Sequence, residues 1–374
     1  MPRSEQGSAG AAAPGGILQT GRKNMRVLVT GVAGQLGHDV MNELDRRGIE
    51  GIGTDLAPSY AGVQDGTPVT YLPYVSLDIT DAAAVEKTVM EYRPDAVVHC
   101  AAWTAVGLAE DENNQPKVRA VNVDGTRNIA QAAKKADARM LYLSTDYVFD
   151  GQGDTPWDPD FKGYSPLNVY GSSKLDGELA VSGILEKYYI VRIAWVFGRN
   201  GKNFIRTMLQ VGKNHDELRV VDDQIGTPTY TYDLARLLVD MIGTDRYGYY
   251  HATNAELPAS EGGYDRDGKT AEEGNGIPGG DGTVYAYTKD GTKTGYISWY
   301  DFAREIFRQA AAMGHPEYDE SHLKVTPVTT AQYGLSKAMR PFNSRLDKSK
   351  LIREGFDPLP DWKDALSRYL RELL

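Results

Sequence analysis

Apolar runs and helical patterns alternate along most of this chain, and the alternation begins at a glycine-rich turn. The apolar run Arg26–Thr30 is followed by Gly31-Val-Ala-Gly34-Gln-Leu-Gly37 and then by a helical pattern from Leu36 to Arg47. Strand and helix patterns continue to alternate as far as a strand predicted at Tyr189–Phe197. This βαβ alternation predicts an α/β fold with a doubly wound, Rossmann-like parallel sheet and a smaller C-terminal α/β lobe.

The composition excludes some classes of function. The chain has 374 residues and a formal net charge of -10, which argues against nucleic acid as a partner. No apolar run approaches the ~20 residues of a membrane-spanning helix. Cys100 is the single cysteine and lies in an apolar run, so it is expected to be a small core residue. A chain without an internal disulfide suits a reducing compartment, which predicts a cytoplasmic location.

The sequence divides into a leader, two main parts and an insertion within the second part. Residues 1–24 are rich in Gly, Ala, Ser and Pro, which predicts a disordered leader or a cloning remnant. Residues 25–193 are expected to form a dinucleotide-binding domain, and residues 194–374 mainly a substrate-binding lobe, with the chain free to cross between them. Residues 256–294 are Gly-rich and acidic and predict a surface insertion that ends in a hairpin turning at Asp290-Gly291.

The glycine-rich turn has the sequence context of a pyrophosphate cradle. Gly31, Gly34 and Gly37 follow a strand and open a helix, whose N-terminus offers unpaired N–H groups and a positive dipole end. Asp55 ends the second predicted strand, where an acid binds an adenosine ribose hydroxyl; it could instead be a turn residue before Pro58. Asp78-Ile79 ends the third strand and would flank the adenine, although Asp78 could equally cap the helix that follows.

Tyr170-Gly-Ser-Ser-Lys174 places a phenol and an ammonium four residues apart, on one face of a predicted helix. There the ammonium is expected to lower the pKa of the phenol and to touch a nucleotide ribose. Together with the glycine-rich turn, the pair predicts hydride transfer between a nicotinamide and a carbonyl.

These motifs resemble the extended short-chain dehydrogenase/reductase family. The resemblance implies that Tyr170 and Lys174 are the catalytic pair, that Thr145 polarises the carbonyl, and that Asn122 supports the active-site strand. The cofactor set that it and the turn imply is Gly31, Gly34, Gln35, Leu36, Gly37, Asp55, Asp78, Ile79, Ala101, Ala102, Trp103, Thr104, Tyr170 and Lys174. NADH or NADPH is the implied cofactor, with NADH slightly favoured because Asp55 would repel a 2′-phosphate.

Within that family the chain resembles the dTDP-4-dehydrorhamnose reductases. The strings that carry the resemblance are Ser144-Thr-Asp-Tyr-Val-Phe149, Pro166-Leu-Asn-Val-Tyr170, Ala194-Trp-Val-Phe197, Asp223-Gln-Ile-Gly-Thr-Pro-Thr229 and Arg340-Pro-Phe-Asn-Ser-Arg-Leu-Asp347. The resemblance implies reduction of dTDP-4-dehydro-β-L-rhamnose in dTDP-L-rhamnose synthesis. The implied substrate residues are Thr104, Val106, Thr145, Asp146, Trp195, Arg340 and Arg345; no metal ligand is assigned, and a homodimer is left open.

Several alternatives remain at this point. Trp195 could be a core residue, and the two arginines could form surface salt bridges. The chain could reduce another nucleotide 4-keto sugar, or serve as a non-catalytic regulatory subunit like that of methionine adenosyltransferase. Gly107 departs from the family, which has Asp there; Gly107 is expected to cap a helix in its place.

Overall fold

A computed structural model describes residues 25–255, 286–287, 293–294, 296–334 and 336–374. The predicted leader and most of the predicted insertion lie outside these residues. The strands are β1 (Arg26–Thr30), β2 (Glu50–Asp55), β3 (Tyr74–Ser76), β4 (Ala96–His99), β5 (Arg139–Thr145), β6 (Tyr188–Ile193), β7 (Val196–Phe197), β8 (Glu217–Val221), β9 (Ile225–Gly226), β10 (Thr229–Tyr230), β11 (Gly248–His251), β12 (Asn254–Ala255), β13 (Ala286–Tyr287), β14 (Lys293–Thr294), β15 (Ile297–Ser298), β16 (Lys324–Val328) and β17 (Leu359–Asp361).

The helices flank these strands or connect them. They are α1 (Gln35–Arg46), α2 (Ala82–Tyr92), α3 (Val106–Ala109), α4 (Gln115–Arg119), α5 (Thr126–Lys135), α6 (Val169–Ile184), α7 (Phe204–Gly212), α8 (Thr231–Ile242), α9 (Trp299–Ala312), α10 (Thr330–Tyr333), α11 (Ser349–Arg353) and α12 (Trp362–Leu373). None of the helices in the described ranges combines the length and the apolar character needed to cross a membrane.

The main sheet has seven parallel strands in the order β11-β6-β5-β4-β1-β2-β3. Chain order reverses between β1 and β4, so the crevice at the carboxyl ends of these strands is where such a sheet binds ligands. The predicted doubly wound parallel sheet is therefore confirmed.

Both faces of this sheet are buried. On β1, Val27 and Val29 face a core shared with α1 and α8, whereas Leu28 faces a second core shared with α2 and α5. Such continuous apolar strands are expected where helices cover both sides of a parallel sheet.

A second, smaller unit contains short strand pairs and a separate core. That core joins α7, α9 and α12 through residues such as Leu209, Phe302 and Leu366. The chain crosses between the two units, because α8 packs on α1 and β11 adds to the edge of the main sheet. Strands β13 and β14 pair antiparallel, as expected for the hairpin predicted at the end of the insertion. The predicted turn at Asp290-Gly291 lies outside the described residues.

One helix and one predicted strand are irregular. The helical stretch around Asn122 is π-helical over Ala120–Gly125 and becomes α-helical at Thr126. The strand predicted to reach Phe197 ends at Ile193, and Trp195 has a φ of 51°. Beyond that kink the chain leaves the main sheet, because β7 pairs with β10 instead.

Candidate active site

An open cavity of about 910 Å³ lies at the carboxyl ends of the central strands. Residues at or just after the ends of β1, β2, β4, β5 and β6 line it, as the fold requires. Every site residue predicted from the sequence lines this cavity except Trp103 and Arg345. The structure therefore brings together segments that are far apart in the sequence.

The glycine-rich turn is built so that only glycine fits at its two ends. Gly31 has a φ of 73°, and a Cβ there would lie 2.6 Å from the backbone nitrogen of Ala101. A Cβ on Gly37 would overlap the carbonyl oxygen of Gly31. Helix α1 begins directly after Gly34 and has no side-chain cap, so its first amides are left for an anion. This cradle fits a cofactor diphosphate.

Asp55 lies at the end of β2 and holds the turn in place. Its Oδ2 accepts a hydrogen bond from the Ala33 nitrogen (3.0 Å), and its Oδ1 accepts one from the Leu56 nitrogen (2.8 Å). The carboxylate also lines the cavity, so Asp55 combines the turn role with the position proposed for a ribose contact.

Asp78 does not cap the helix that follows it. Its Oδ1 accepts bonds from the nitrogen (2.9 Å) and hydroxyl (2.7 Å) of Thr80, whereas Asp81 caps α2. Ile79 packs against Gly125, where a Cβ would lie 2.7 Å from the Ile79 side chain. Both Asp78 and Ile79 line the cavity.

Tyr170 and Lys174 lie on α6, as predicted from their spacing. The Asn168 side chain caps this helix by accepting a hydrogen bond from the Gly171 nitrogen (2.8 Å). Thr145 ends β5 on the same cavity wall, and its hydroxyl donates to Asp146 Oδ1 (2.9 Å). The ring of Tyr147 meets that of Tyr170 edge to face, with centroids 5.6 Å apart.

The electrostatics of the pair differ from the expectation. Burial raises the pKa of Tyr170, Asp146 and Tyr147 raise it further, and a hydrogen bond with Thr145 lowers it. Burial also lowers the pKa of Lys174 to about 7, against the opposing charge of Glu178. The predicted lowering of the Tyr170 pKa is therefore wrong for this structure, because burial is the largest cause of its shift and Lys174 is not among the groups that oppose it.

Asn122 ties the cofactor side of the cavity to the catalytic helix. Its Oδ1 accepts from the Trp103 nitrogen (2.8 Å), and its Nδ2 donates to the Ser173 hydroxyl (2.9 Å). Ser173 in turn donates to the Tyr170 carbonyl oxygen (2.7 Å). Trp103 thus takes part through its backbone, while its indole donates to Ala105.

The other end of the cavity is aromatic and contains a buried acid. Trp195 stacks on Trp299, with ring centroids 3.8 Å apart and an interplanar angle of 17°. Phe204 lies beside this pair and also lines the cavity. Burial raises the pKa of Asp146 to about 6, although the hydroxyls of Ser344 and Thr145 oppose the shift.

The two arginines have different environments. Arg340 is exposed at the cavity wall, with its guanidinium 3.4 Å from the Tyr147 hydroxyl. Arg345 is buried and donates to Asn343 Oδ1 (3.1 Å) outside the cavity wall. The structure thus does not bring Arg345 to the predicted site, and its burial also excludes a surface salt bridge.

Comparison with known proteins agrees with this geometry. The model of the RmlD substrate binding domain family matches residues 25–261 and 281–374. This chain belongs to that family. The unmatched residues 262–280 fall inside the predicted insertion.

Individual members of the RmlD family are similar over most of their length. A dTDP-4-dehydrorhamnose reductase from Streptomyces griseus is 37% identical, over 91% of this chain and 92% of the relative. The crystal structure of such a reductase from Clostridium acetobutylicum is 36% identical with a TM-score of 0.72, covering 93% of this chain and 99% of that one. The structure of the Bacillus anthracis reductase in complex with NADP is 32% identical with a TM-score of 0.71, at the same coverages. The resemblance stated from the sequence is confirmed.

Gly107 has a different place in this RmlD family member from the one expected. Helix α3 begins at Val106, so Ala105 precedes it and Gly107 lies inside the helix. Glu110, three residues after Gly107, accepts a bond from the Val169 nitrogen (2.8 Å) at the start of α6. The prediction that Gly107 caps the helix is wrong.

Sequence reasoning missed several residues of the cavity wall. These are chiefly Trp299, Phe204 and Phe302 at the aromatic end, Tyr147 beside Tyr170, and Lys202 beside the glycine-rich turn. Cys100 also lines the cavity, half-buried rather than sealed in the core as expected. Tyr147 and Cys100 carried a usable signal, since they closely follow β5 and β4 at the edge of the main sheet where strands present ligand-binding residues. No group of three potential metal ligands is found among the described residues.

Proposed function

We propose that this chain reduces dTDP-4-dehydro-β-L-rhamnose to dTDP-β-L-rhamnose with NADH or NADPH, the reductive step of dTDP-L-rhamnose biosynthesis. The observation that carries the proposal is one cavity in which a glycine cradle, the Thr145–Tyr170–Lys174 set and an aromatic wall meet. Membership of the RmlD family and the named reductases among its relatives support the same substrate.

The residues of the cofactor end have separate roles. The amides that open α1 after Gly34 would bind the diphosphate, and Asp55 would bind the adenosine ribose. Lys174 would bind the nicotinamide ribose. When bound, the reduced nicotinamide supplies the hydride that reaches the carbonyl carbon.

Tyr170 supplies the proton. Its raised pKa keeps the phenol protonated at neutral pH, which is the form that a reduction requires. The Thr145 hydroxyl rotates from Asp146 toward the ketone oxygen and donates a second hydrogen bond that polarises the carbonyl. In its charged form Lys174 stabilises the phenolate that proton donation leaves on Tyr170.

The aromatic end selects the substrate. Trp195 and Trp299 offer apolar surface to a deoxysugar, and Arg340 at the rim offers charge to the diphosphate of the nucleotide. Because the protein carries a net charge of -10, a dianionic group needs such a local cation. The non-catalytic alternative is not favoured, since the whole catalytic set is present in one cavity.

An assay of nucleotide-sugar reduction tests the proposal. Oxidation of NADH and NADPH is followed with dTDP-4-dehydro-β-L-rhamnose, with other nucleotide 4-keto sugars and with the free keto sugar. We expect efficient turnover of the dTDP-linked sugar and little of the free sugar, with dTDP as a competitive inhibitor. Equal turnover of the free sugar, or no competition by dTDP, would exclude a nucleotide sugar as the substrate. Faster turnover of another nucleotide 4-keto sugar would show that this other sugar is the substrate.

Three finer points are part of the proposal. Asp55 favours NADH, so Asp55→Ala should reduce or reverse the preference for NADH over NADPH, measured as the ratio of their dissociation constants. A strong NADPH preference in the parent protein would show that Asp55 does not contact the ribose.

The location is the cytoplasm, in keeping with the single cysteine. A homodimer is tested by light scattering of the purified protein.

A further inference from the structure

The loop after β7 crosses the first turn of α1, although it comes from the part of the sequence assigned to the substrate lobe. Asn203 Nδ2 donates to the Gln35 side-chain oxygen (3.0 Å), and Gln35 is the first residue of α1. Gly198 approaches so closely that a Cβ there would lie 3.2 Å from Gln35 Cβ. Residues 198–203 therefore lie against the first residue of the helix whose N-terminal amides are free to bind an anion.

The same loop is fixed from its other side by the segment that follows β2. Asn200 accepts from the Val63 nitrogen (2.9 Å) and donates to the Tyr60 hydroxyl (3.1 Å). Arg199 forms an ion pair with Asp65, with Nε 2.9 Å from Oδ2. The loop is therefore held both by α1 and by the segment after β2, which belong to the dinucleotide-binding half.

Lys202 is the cation that this loop presents to the cavity. Three cationic side chains line the cavity within the described residues: Lys174, Lys202 and Arg340. Lys174 lies over the Tyr142 ring, and Arg340 lies beside Tyr147, so both belong to the catalytic and substrate parts. Lys202 is exposed and makes no ion pair with any described residue, unlike its neighbour Arg199.

An anion at the glycine cradle would meet positive charge from two sources. The uncapped terminus of α1 supplies partial charge from the backbone, which falls off within its first turn. Lys202 stands between Gly201 and Asn203, both of which lie near Gln35, and it lines the cavity, so it adds a full charge near the cradle. Such a cation would offset the repulsion that the nearby Asp55 carboxylate and the overall charge of -10 exert on an anion.

We propose that Lys202 binds the cofactor diphosphate at the Gly31–Gly37 cradle, so that a loop of the C-terminal part clamps the cofactor against α1. This rests on the proposed function, because it takes the cradle to be the cofactor site. The ammonium acts as a point charge on a flexible stem, so Lys202 adds affinity and the amides of α1 set the geometry.

Binding titrations of the full chain test this without relying on turnover. Dissociation constants are measured calorimetrically for NADH, NADPH and dTDP with the parent protein, Lys202→Gln, Lys202→Arg and the matched control Lys213→Gln, an exposed lysine outside the cavity wall. We expect Lys202→Gln to weaken NADH and NADPH by the same factor, about 3- to 10-fold, the range for a partly exposed charge on an anion. Lys202→Arg should retain most of the affinity, Lys213→Gln all of it, and dTDP should bind all four proteins alike. Added salt should shrink the difference between parent and Lys202→Gln.

Each other outcome overturns the inference in a different way. If only NADPH lost affinity, Lys202 would contact the 2′-phosphate instead of the diphosphate. If only dTDP lost affinity, Lys202 would contact the nucleotide of the substrate. Unchanged affinities in Lys202→Gln would remove it from any phosphate site. If the parent protein bound neither NADH nor NADPH, the proposed function itself would fail, which is a result distinct from all of these.

Discussion

The two ends of the cavity are built in different ways. The cofactor end is mostly backbone: one continuous segment, Gly31–Gly37, supplies the close approaches and the free amides. The substrate end is mostly side chain, with Asp146, Trp195, Trp299 and Arg340 arriving from separate elements. A backbone cradle needs glycine at fixed local spacing, whereas a side-chain wall needs only that the fold bring its members together.

The two ends also use charge differently. Around the glycine cradle, the charges are helix amides, the half-buried Asp55 and the exposed Lys202, which cost the fold little. At the substrate end, burial raises the pKa of Asp146 to about 6 and that of Tyr147 to about 12. Keeping ionisable groups buried costs stability, so this end is expected to be the less stable and more pH-sensitive of the two.

The largest expected effect separates chemistry from cofactor binding. Tyr170→Phe removes the proton donor and leaves the ring, so kcat should fall at least ~10²-fold, the lower range for general acid catalysis. The NADPH dissociation constant should stay within a factor of about two, since the glycine cradle is untouched. Steady-state kinetics and titration measure the two effects, and Tyr147→Phe serves as a control phenol in the same wall, with a smaller expected loss. Turnover close to that of the parent in Tyr170→Phe would reject the assigned role.

A substitution in the glycine cradle should instead weaken cofactor binding. In Gly37→Ala the new Cβ meets the Gly31 carbonyl, and backbone cannot move aside as a flexible side chain does, so NADH and NADPH affinity should fall about 10-fold or more. Gly107→Ala is the matched control, because it sits inside a helix and nothing lies within 4 Å of the position that its Cβ would take. Thermal melting reports whether each variant folds. Unchanged cofactor affinity in a folded Gly37→Ala protein would show that the cradle tolerates displacement.

This contrast explains what the sequence could and could not predict. The parallel sheet, the glycine cradle and the Tyr170–Lys174 spacing follow from periodicity and short-range motifs, and the structure has all three. Trp195 could be predicted only through a family resemblance, because a strand-end aromatic is more often a core residue.

The rest depends on tertiary structure. Trp299 has no local signal for a cavity position, since it is simply the first residue of an amphipathic helix. Arg345 belongs to a family-like string, yet its side chain turns into the protein, which spacing does not reveal. The raised pKa of Tyr170 arises from burial by several segments, so no motif encodes it.

A moderate effect should distinguish the aromatic wall from ordinary packing. Trp299→Ala removes the ring that stacks on Trp195, and the KM for the dTDP sugar should rise about 3- to 10-fold, the range for one aromatic contact. Trp299→Phe should recover part of this, and cofactor affinity should be unchanged. Tyr300→Ala, in the same helical turn but outside the cavity wall, is the control. An equal rise in KM for both alanine variants would assign the effect to the helix rather than to the wall.

The smallest effect tests whether the substrate end carries a stability cost. The pKa of Asp146 is raised from 3.8 to about 6, so the folded state holds this proton more tightly than the unfolded chain does. The group therefore contributes most to stability below pH 3.8, and that contribution is lost as the pH rises through about 6. Asp146→Asn cannot ionise and still accepts from Thr145, so its melting temperature should exceed that of the parent by a few degrees above pH 6. The advantage should shrink as the pH falls and vanish near pH 4. The exposed Asp154→Asn should show no such trend across the same series of melts. A difference that is constant with pH would mean that packing, and not a buried charge, separates the two ends of the cavity.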